Sequence, residues 1–471
     1  MCRGDGPTRL HRWLVLTLLT AGVACDSEPV PRDGDVGSGE RSGGAPTPPI
    51  VWQDPLRVAS GDAYKGRWRM NRSRFYYVDD PTVAVADDGR MGVAWVDNRR
   101  QNVFFQSFSP DGEALLQAPV DVSRSPETFS WLPKVVMTET GDVFLLWQEI
   151  VFSGGTHGGE AFFARSIDGG RSFSDPINLS QSQAGDGKGR LTRERWHNGS
   201  LDLAQAENGT LYAAWTEYEG ALWLSRSTDG GVDFESPERI AGTDERPARG
   251  PDLAVGPEDR VYVAWTVGED RGADIHVTFS MDGGRSFANP RRLFPSDAHA
   301  DAPKLAVDSE GAVHLAYAQG SGGPFGRHEI QYARLDEGGS PTTEPQRFSA
   351  GPASSSGGAG FPSLGLDARG HVLVLWERYP REDARPLGLG FALSTDQGRS
   401  FSTPGIVPGT ADPALGFNGS LQGLLMQKVA VSPAGAVAVV NSRFDPGERS
   451  LVRLIRGQLG RSDQGGGRDK D

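Results

Sequence analysis

The chain has 471 residues, with 48 Lys and Arg against 61 Asp and Glu and a formal net charge of −13; like charges repel, so nucleic acid and anionic lipid are excluded as its main partners. Its 63 glycines and 32 prolines, beside an apolar fraction of 37%, point to a turn-rich fold of short strands rather than helices. Only six of the basic residues are lysine, so nearly all the positive charge is guanidinium, and two cysteines cannot staple a chain of this size.

Arg3, Arg9 and Arg12 precede an apolar run over residues 13–23 that ends in small residues before Cys25. A basic start, a short apolar core and a small-residue end read as a secretory signal over residues 1–24. The run is too short for a bilayer, which takes about 20 apolar residues. Cleavage leaves Cys25 as the only cysteine of the mature chain. The segment resembles a bacterial lipoprotein signal, with Gly22 where that family favours Leu. The resemblance implies lipidation at Cys25 and an exported, lipid-anchored protein of the cell envelope. Ordinary secretion, with cleavage after Ala24, is the alternative. Residues 25–51 are rich in Gly, Pro, Ser and charge and predict a flexible linker, and residues 459–471 predict a disordered tail.

A repeat fills the span 52–458. Six units carry a strand, a Gly/Asp/Asn turn and a second strand ending in an aromatic, at 81–95, 133–147, 201–215, 251–265, 303–317 and 362–376. A seventh, at 428–440, lacks the aromatic. Such near-continuous apolar strands suit sheets covered on both faces. A third strand leads from each hairpin into a turn. Four of these turns align without gaps: Ser166-Ile-Asp168-Gly-Gly170, Ser227-Thr-Asp229-Gly-Gly231, Ser280-Met-Asp282-Gly-Gly284 and Ser394-Thr-Asp396-Gln-Gly398, each followed three residues on by Phe. Worn copies surround Asp111 and Asp336, and the six aspartates are 57, 61, 53, 54 and 60 residues apart. Even spacing of this size predicts propeller blades. In such a turn the Ser and Asp oxygens accept bonds from the local backbone, and Gly supplies a positive φ.

The turns resemble the Asp-box, or BNR repeat, of the sialidase-like propellers, with Phe where that family has Trp. The resemblance implies that these Ser, Asp and Gly residues are structural. It also brings in exo-alpha-sialidase activity as a possibility, which needs three arginines for the substrate carboxylate, an acid/base Asp and a Tyr activated by a Glu.

Short Pro-led strands follow six of the units, at 119–123, 176–180, 237–242, 290–295, 345–350 and 404–409. The seventh such strand, PLRVASG at 55–61, stands before the first unit. The reading is therefore an all-β propeller of seven four-stranded blades, closed by the N-terminal strand, which removes the exposed edge of an open array. Six blades, as in sialidases, are the alternative.

The strand order puts the loops before strand 1 and after strand 2 on one face, where length varies most. The candidates for ligand binding lie there. Arg67, Arg69 and Arg74 alternate with aromatics in 63–80. Arg195 and Trp196 precede strand 1 of the third unit. Asp97, Arg99, Glu217, Tyr218 and Arg249 flank other strand ends. Asp97, Glu149, Glu217 and Glu377 form a set of acids just past strand 2. Guanidinium forks bind carboxylate or phosphate in bidentate fashion. The Arg-Ile-Pro motif of sialidases is absent, and RWRM at 67–70 does not replace it. Eight histidines show no metal-ligand spacing, so no metal or cofactor is expected. The sequence supports a monomeric, envelope-anchored propeller binding a glycan or an envelope protein on the loop face. An exo-alpha-sialidase, or another glycoside hydrolase of acidic sugars, is the alternative, and no catalytic residue is assigned.

Overall fold

The computed structural model describes residues 50–63, 74, 76–125, 128–153, 156–181, 200–217, 220–243, 245–268, 272–321, 327–347, 357–380, 386–411, 417–418, 427–445 and 449–460. These residues form seven antiparallel sheets, one per blade, and their helix content is a single 3-10 turn at Pro257–Asp259. Blade 1 consists of Val78–Val85, Met91–Asp97, Asn102–Phe108 and Val120–Asp121, and blade 2 of Phe129–Met137, Val143–Ser153, Thr156–Ser166 and Ile177–Asn178. Blade 3 is Leu201–Gln205, Leu211–Thr216, Leu222–Ser227 and Glu238–Ala241, and blade 4 is Ala248–Val255, Val261–Val267, Asp274–Ser280 and Arg291–Leu293. Blade 5 takes His299–Val307, Val313–Gly320, His328–Leu335 and Gln346–Arg347, and blade 6 takes Gly358–Leu366, Val372–Tyr379, Leu389–Ser394 and Gly405–Ile406.

Blade 7 draws on both ends of the chain. Val429–Val431, Ala436–Asp445 and Arg449–Leu459 supply its first three strands. Leu56–Asp62 supplies the fourth, with Leu56 opposite Leu454 and Ser60 opposite Leu451. The closure extends further than the 55–61 strand read from sequence. Ile50–Trp52 also pairs with the last strand, Ile50 opposite Leu459, and the short strand Phe417–Asn418 pairs with Phe444 and Arg443.

Strand 1 of each blade touches strand 1 of the next around the whole circle, so the first strands line the axis. Seven separate apolar clusters fill the seven gaps between blades. The Ser-x-Asp-x-Gly turns lock these gaps from outside. In blade 2, Ser166 Oγ donates to Asp168 Oδ1 at 2.7 Å and accepts from Gly170 N at 2.9 Å, and Ser172 N donates to Asp168 Oδ1 at 3.0 Å. Ser394, Asp396 and Gly398 repeat this geometry in blade 6, and Ser227 and Ser280 in blades 3 and 4. Desolvation would raise the Asp168 carboxyl, but the bonds from Ser172 and Ser166 outweigh it and hold the group down to about 2. The second glycine has two reasons to be glycine. At Gly398 φ is +77°, and a Cβ there would meet the Tyr332 hydroxyl of blade 5. Arg165 Nη1 of blade 2 donates to Gly230 O of the blade 3 turn at 3.0 Å. Arg226 of blade 3 does the same to Gly283 O of blade 4. The Phe that ends each motif covers the gap: Phe234 meets Phe163 edge-on at 4.8 Å and Phe401 meets Tyr332 at 4.7 Å.

Candidate functional site

A second repeated device shapes the axis. In five blades strand 1 slips its register against strand 2 beside a proline, at Pro81, Pro133, Pro251, Pro303 and Pro362. The preceding residue has positive φ each time: Asp80 at 49°, Leu132 at 53°, Gly250 at 57°, Ala302 at 54° and Phe361 at 52°. A bulge of this kind re-aims the side chains beside it. The residue after the proline, and its counterparts in blades 3 and 7, are all polar and buried: Thr82, Lys134, Asp202, Asp252, Lys304, Ser363 and Lys428.

These side chains stitch the inner strands together. Asp202 Oδ2 accepts from Leu253 N and Asp252 Oδ2 from Leu305 N, both at 2.7 Å, and Ser363 Oγ accepts from Lys428 N at 3.2 Å. Lys134 Nζ lies 3.2 Å from Asp202 Oδ1, Lys304 Nζ lies 2.5 Å from Asp252 Oδ1, and Lys428 Nζ contacts Glu377 Oε1. Burial works against the Lys304 ammonium, but Asp252 and Asp202 more than offset it. Burial, with the neighbouring Lys304 charge, pushes Lys134 down despite Asp202. Burial lowers Lys428 to about 8 against the opposing fields of Asp79 and Asp80. The only lysines among the described residues are these three. Lysine suits a narrow axis because its ammonium is a compact point charge, whereas a guanidinium is a wide planar fork.

Only part of the set read from sequence falls among the described residues. Arg67, Arg69, Arg195, Trp196 and Tyr218 lie outside the described residues, as does Cys25. Arg74 is exposed. Asp97 closes the turn after strand 2 of blade 1, accepting from Arg99 N at 3.0 Å and Arg100 N at 3.2 Å. Arg99 lies over the Tyr76 ring, 5.4 Å from its centroid, and 3.9 Å from Asp62. Glu217 belongs to a tight turn on blade 3, where Gly220 N donates to its carbonyl at 2.8 Å. Glu149 and Glu377 fall inside strand 2 of their blades, Val143–Ser153 and Val372–Tyr379, rather than just past it, because those strands run on beyond their aromatic, and both are buried. Burial pushes the Glu149 carboxyl up, opposed by bonds from Thr128, Ser130 and Trp147. Glu377 accepts the Tyr379 hydroxyl at 2.7 Å and pairs with Lys428. Asp97, Glu149, Glu217 and Glu377 therefore have different local partners.

Arg249 sits inside strand 1 of blade 4 and begins a cluster that sequence reasoning did not assemble. Its Nε donates to Gly268 O at 2.8 Å, and its Nη2 lies 3.2 Å from Asp301 Oδ2 of blade 5. Asp301 also accepts Thr266 Oγ1 at 2.9 Å and lies 3.4 Å from His299 Nε2. Burial alone would raise the Asp301 carboxyl, but Arg249 and His299 hold it well below the usual range. The His299 and His328 rings meet edge-on at 5.4 Å. Arg327 and Arg347 approach Glu329 at 3.4 and 2.9 Å on the same blade. Spacing does not mark His299 and His328, because neither belongs to a metal-ligand pattern. The signal that was available is that His299 and Asp301 stand just before Pro303, as Arg249 stands before Pro251.

No family model matches the chain, and no curated protein does. Solved structures resemble it in fold. A polysaccharide lyase of family PL25, an ulvan lyase bound to -[GlcA(1-4)Rha3S]-, has a TM-score of 0.52 at 13% identity, over 80% of this chain and 94% of its own. Another ulvan lyase structure of that family gives 0.51 at 14% identity with the same coverage. A Hadza microbial sialidase, Hz136, gives 0.42 at 13% identity, over 81% of this chain and 66% of its own. At these identities the likeness is one of fold.

Proposed function

We propose that this protein is an envelope-anchored propeller that binds an acidic glycan on its loop face, in the sector formed by blades 4 and 5. The observation that carries the reading is Arg249. Its guanidinium is fixed by Gly268 O and Asp301, yet 21% of its side chain remains exposed. A prepositioned guanidinium loses little freedom when it takes up a carboxylate or sulfate. Arg327 and Arg347, with His328, add donors to the same sector, and the buried His299 helps to hold Asp301 in place. The saccharide named with the ulvan lyase carries a uronate and a sulfate, which is the ligand chemistry these residues suit. Identification of the Ser-x-Asp-x-Gly turns as Asp-boxes belongs to this reading, as do Arg67, Arg69, Arg74, Arg195 and Trp196 as further contacts.

Purified mature protein is expected to bind a uronate-rich or sulfated polysaccharide, and Arg249→Ala to weaken that binding about tenfold, the scale of one or two charge-assisted hydrogen bonds. Binding by isothermal calorimetry at two salt concentrations checks it. Equal affinity of the variant refutes the assignment of Arg249, and efficient turnover of a fluorogenic sialoside would establish the hydrolase instead. Anchoring through Cys25 is part of the proposal. Cys25→Ser is expected to move the protein from the membrane fraction to the soluble one, and a wild-type protein already soluble would refute it.

A further inference from the structure

Six large hydrophobic side chains are exposed among the described residues, between 43% and 74%: Val51, Leu115, Ile167, Val232, Met281 and Ile406. Apolar residues scattered singly are ordinary on a protein surface, but most of these are not scattered. Leu115, Ile167, Val232 and Met281 occupy the turns between strands 3 and 4 of blades 1, 2, 3 and 4. Together with the turns between strands 1 and 2, these form the face opposite the loop face. Val51 extends the row to blade 7. Ile50 and Trp52 pack into the gap between blades 6 and 7, so Val51, by strand alternation, points the other way. The blade 1 turn leans on the strand that Val51 pairs with, since Arg456 Nη1 donates to Pro110 O at 3.1 Å. Five consecutive blades, 7 and 1 to 4, thus carry an apolar arc on the turn face. Ile406, in strand 4 of blade 6, stands apart from it.

The course of the chain indicates what covers the arc. Ile50 pairs with Leu459, whereas Asp62 pairs with Arg449 at the loop face. Leu459 N donates at 2.9 Å to Gly435 O, in the turn between strands 1 and 2 of blade 7. Residue 50 therefore joins the ring at the turn face, at one end of the arc. Residues 25–49, read from composition as a linker, lead from there to Cys25. A Gly- and Ser-rich coil of that length spans roughly 25–30 Å and holds what it tethers at an effective concentration on the order of millimolar. A weak contact then suffices to lay the turn face on the surface that holds the lipid.

We infer that the turn face of blades 7 and 1 to 4 rests on the membrane surface. Leu115, Ile167, Val232 and Met281 enter the head-group layer, and the loop face with Arg249 points away from the bilayer. The inference rests on the reading of Cys25 as the lipid anchor. A net charge of −13 suits a zwitterionic surface rather than an anionic one.

The test is hydrogen exchange on the mature chain coupled through the Cys25 thiol to a maleimide lipid in phosphatidylcholine vesicles. The reference is the same chain capped with N-ethylmaleimide and mixed with the same vesicles. Exchange in the turn 227–234 is expected to slow about twofold or more on coupling, the effect of a contact occupied half the time, while 97–103 on the loop face is unchanged. Ile167→Thr with Met281→Thr should return 227–234 to the rate of the capped chain with Tm unchanged, because Thr228 and Thr395 already hold that place in the blade 3 and blade 6 turns. No slowing at 227–234, slowing at 97–103 instead, or slowing that survives the double variant would each overturn the inference. So would a dimer of the capped chain that the double variant dissolves, which would assign the arc to a second copy. Slowing in the coupled chain, beside a cellular protein that carries no lipid, would support the face and refute only the anchor. A lipid-bearing cellular protein whose coupled form shows no slowing would refute only the face.

Discussion

Removal of residues 1–62 is expected to abolish folding of the propeller, whereas removal of residues 1–49 is expected to leave it intact. Ile50 and Trp52 pack into the gap between blades 6 and 7, Trp52 edge-on to Phe391 at 5.5 Å. Leu56 and Val58 pack into the gap between blades 7 and 1. A large apolar side chain fully taken from water contributes about 1.5–3 kcal/mol; with Ile50 buried and Trp52, Leu56 and Val58 partly so, the four contribute on the order of 5 kcal/mol. That is comparable to the low end of the whole stability of a typical domain, about 5–15 kcal/mol. Deletion also strips the partner from Arg449–Leu459 and leaves a long unpaired edge, which templates aggregation. Soluble yield and a calorimetric melt check the prediction. A soluble monomer of the shorter chain, melting within a few degrees of its parent, would show that the ring does not depend on closure.

The second large effect concerns the axis. Lys304→Met is expected to cost about 3–5 kcal/mol, because it leaves Asp252 buried without its cation. Lys304→Met combined with Asp252→Asn should recover part of the loss. The asparagine removes the stranded charge while keeping an acceptor for Leu305 N. The pH dependence gives an internal control. Burial already raises Asp252 to about 6 against the pull of Lys304. Without Lys304 the carboxyl rises further. A carboxyl raised on folding favours the native state at low pH, and that support is lost as pH climbs through its folded value. The deficit of Lys304→Met should therefore shrink below pH 6 and grow towards pH 8, while the double variant shows no such trend. Urea denaturation at pH 5 and pH 8 measures it. A deficit independent of pH would mean that lost packing, rather than a stranded carboxylate, is responsible.

The architecture was legible because each blade repeats the same local chemistry. The Ser-x-Asp-x-Gly turns and the Pro-led fourth strands bond mainly to their own blade or the next one, so their spacing carries the blade count. PLRVASG at 55–61 was readable as the missing fourth strand for the same reason, whereas Ile50–Trp52 is too short and too close to the polar linker to stand out. The axis was harder to read. Thr82, Lys134, Asp202, Asp252, Lys304, Ser363 and Lys428 resemble ordinary polar breaks in half-buried strands when taken one at a time. Aligned across the hairpins they form a column in which no member is apolar, and three of the six lysines stand in it. The Arg249, Asp301 and His299 cluster was harder to read for another reason. It joins blades 4 and 5 through the bulges at Gly250 and Ala302, and an alanine does not announce a positive φ, so only its place before Pro303 marks the second bulge.

Because the closing pairs join residues about 400 apart, the ring has an order of assembly imposed by synthesis. At roughly 5–20 residues per second, the strand Leu56–Asp62 emerges some tens of seconds before Arg449–Leu459 exists to receive it. Blades 1 to 6 can form in turn during that interval, each sealing the apolar face of its predecessor. Blade 1 keeps its open side until the last strand arrives. The slow and vulnerable stage of this protein's life is thus the wait for its own C-terminus. A holdase that shields one sheet face and one strand edge for that interval would protect the nascent propeller more than any gain in the stability of an individual blade.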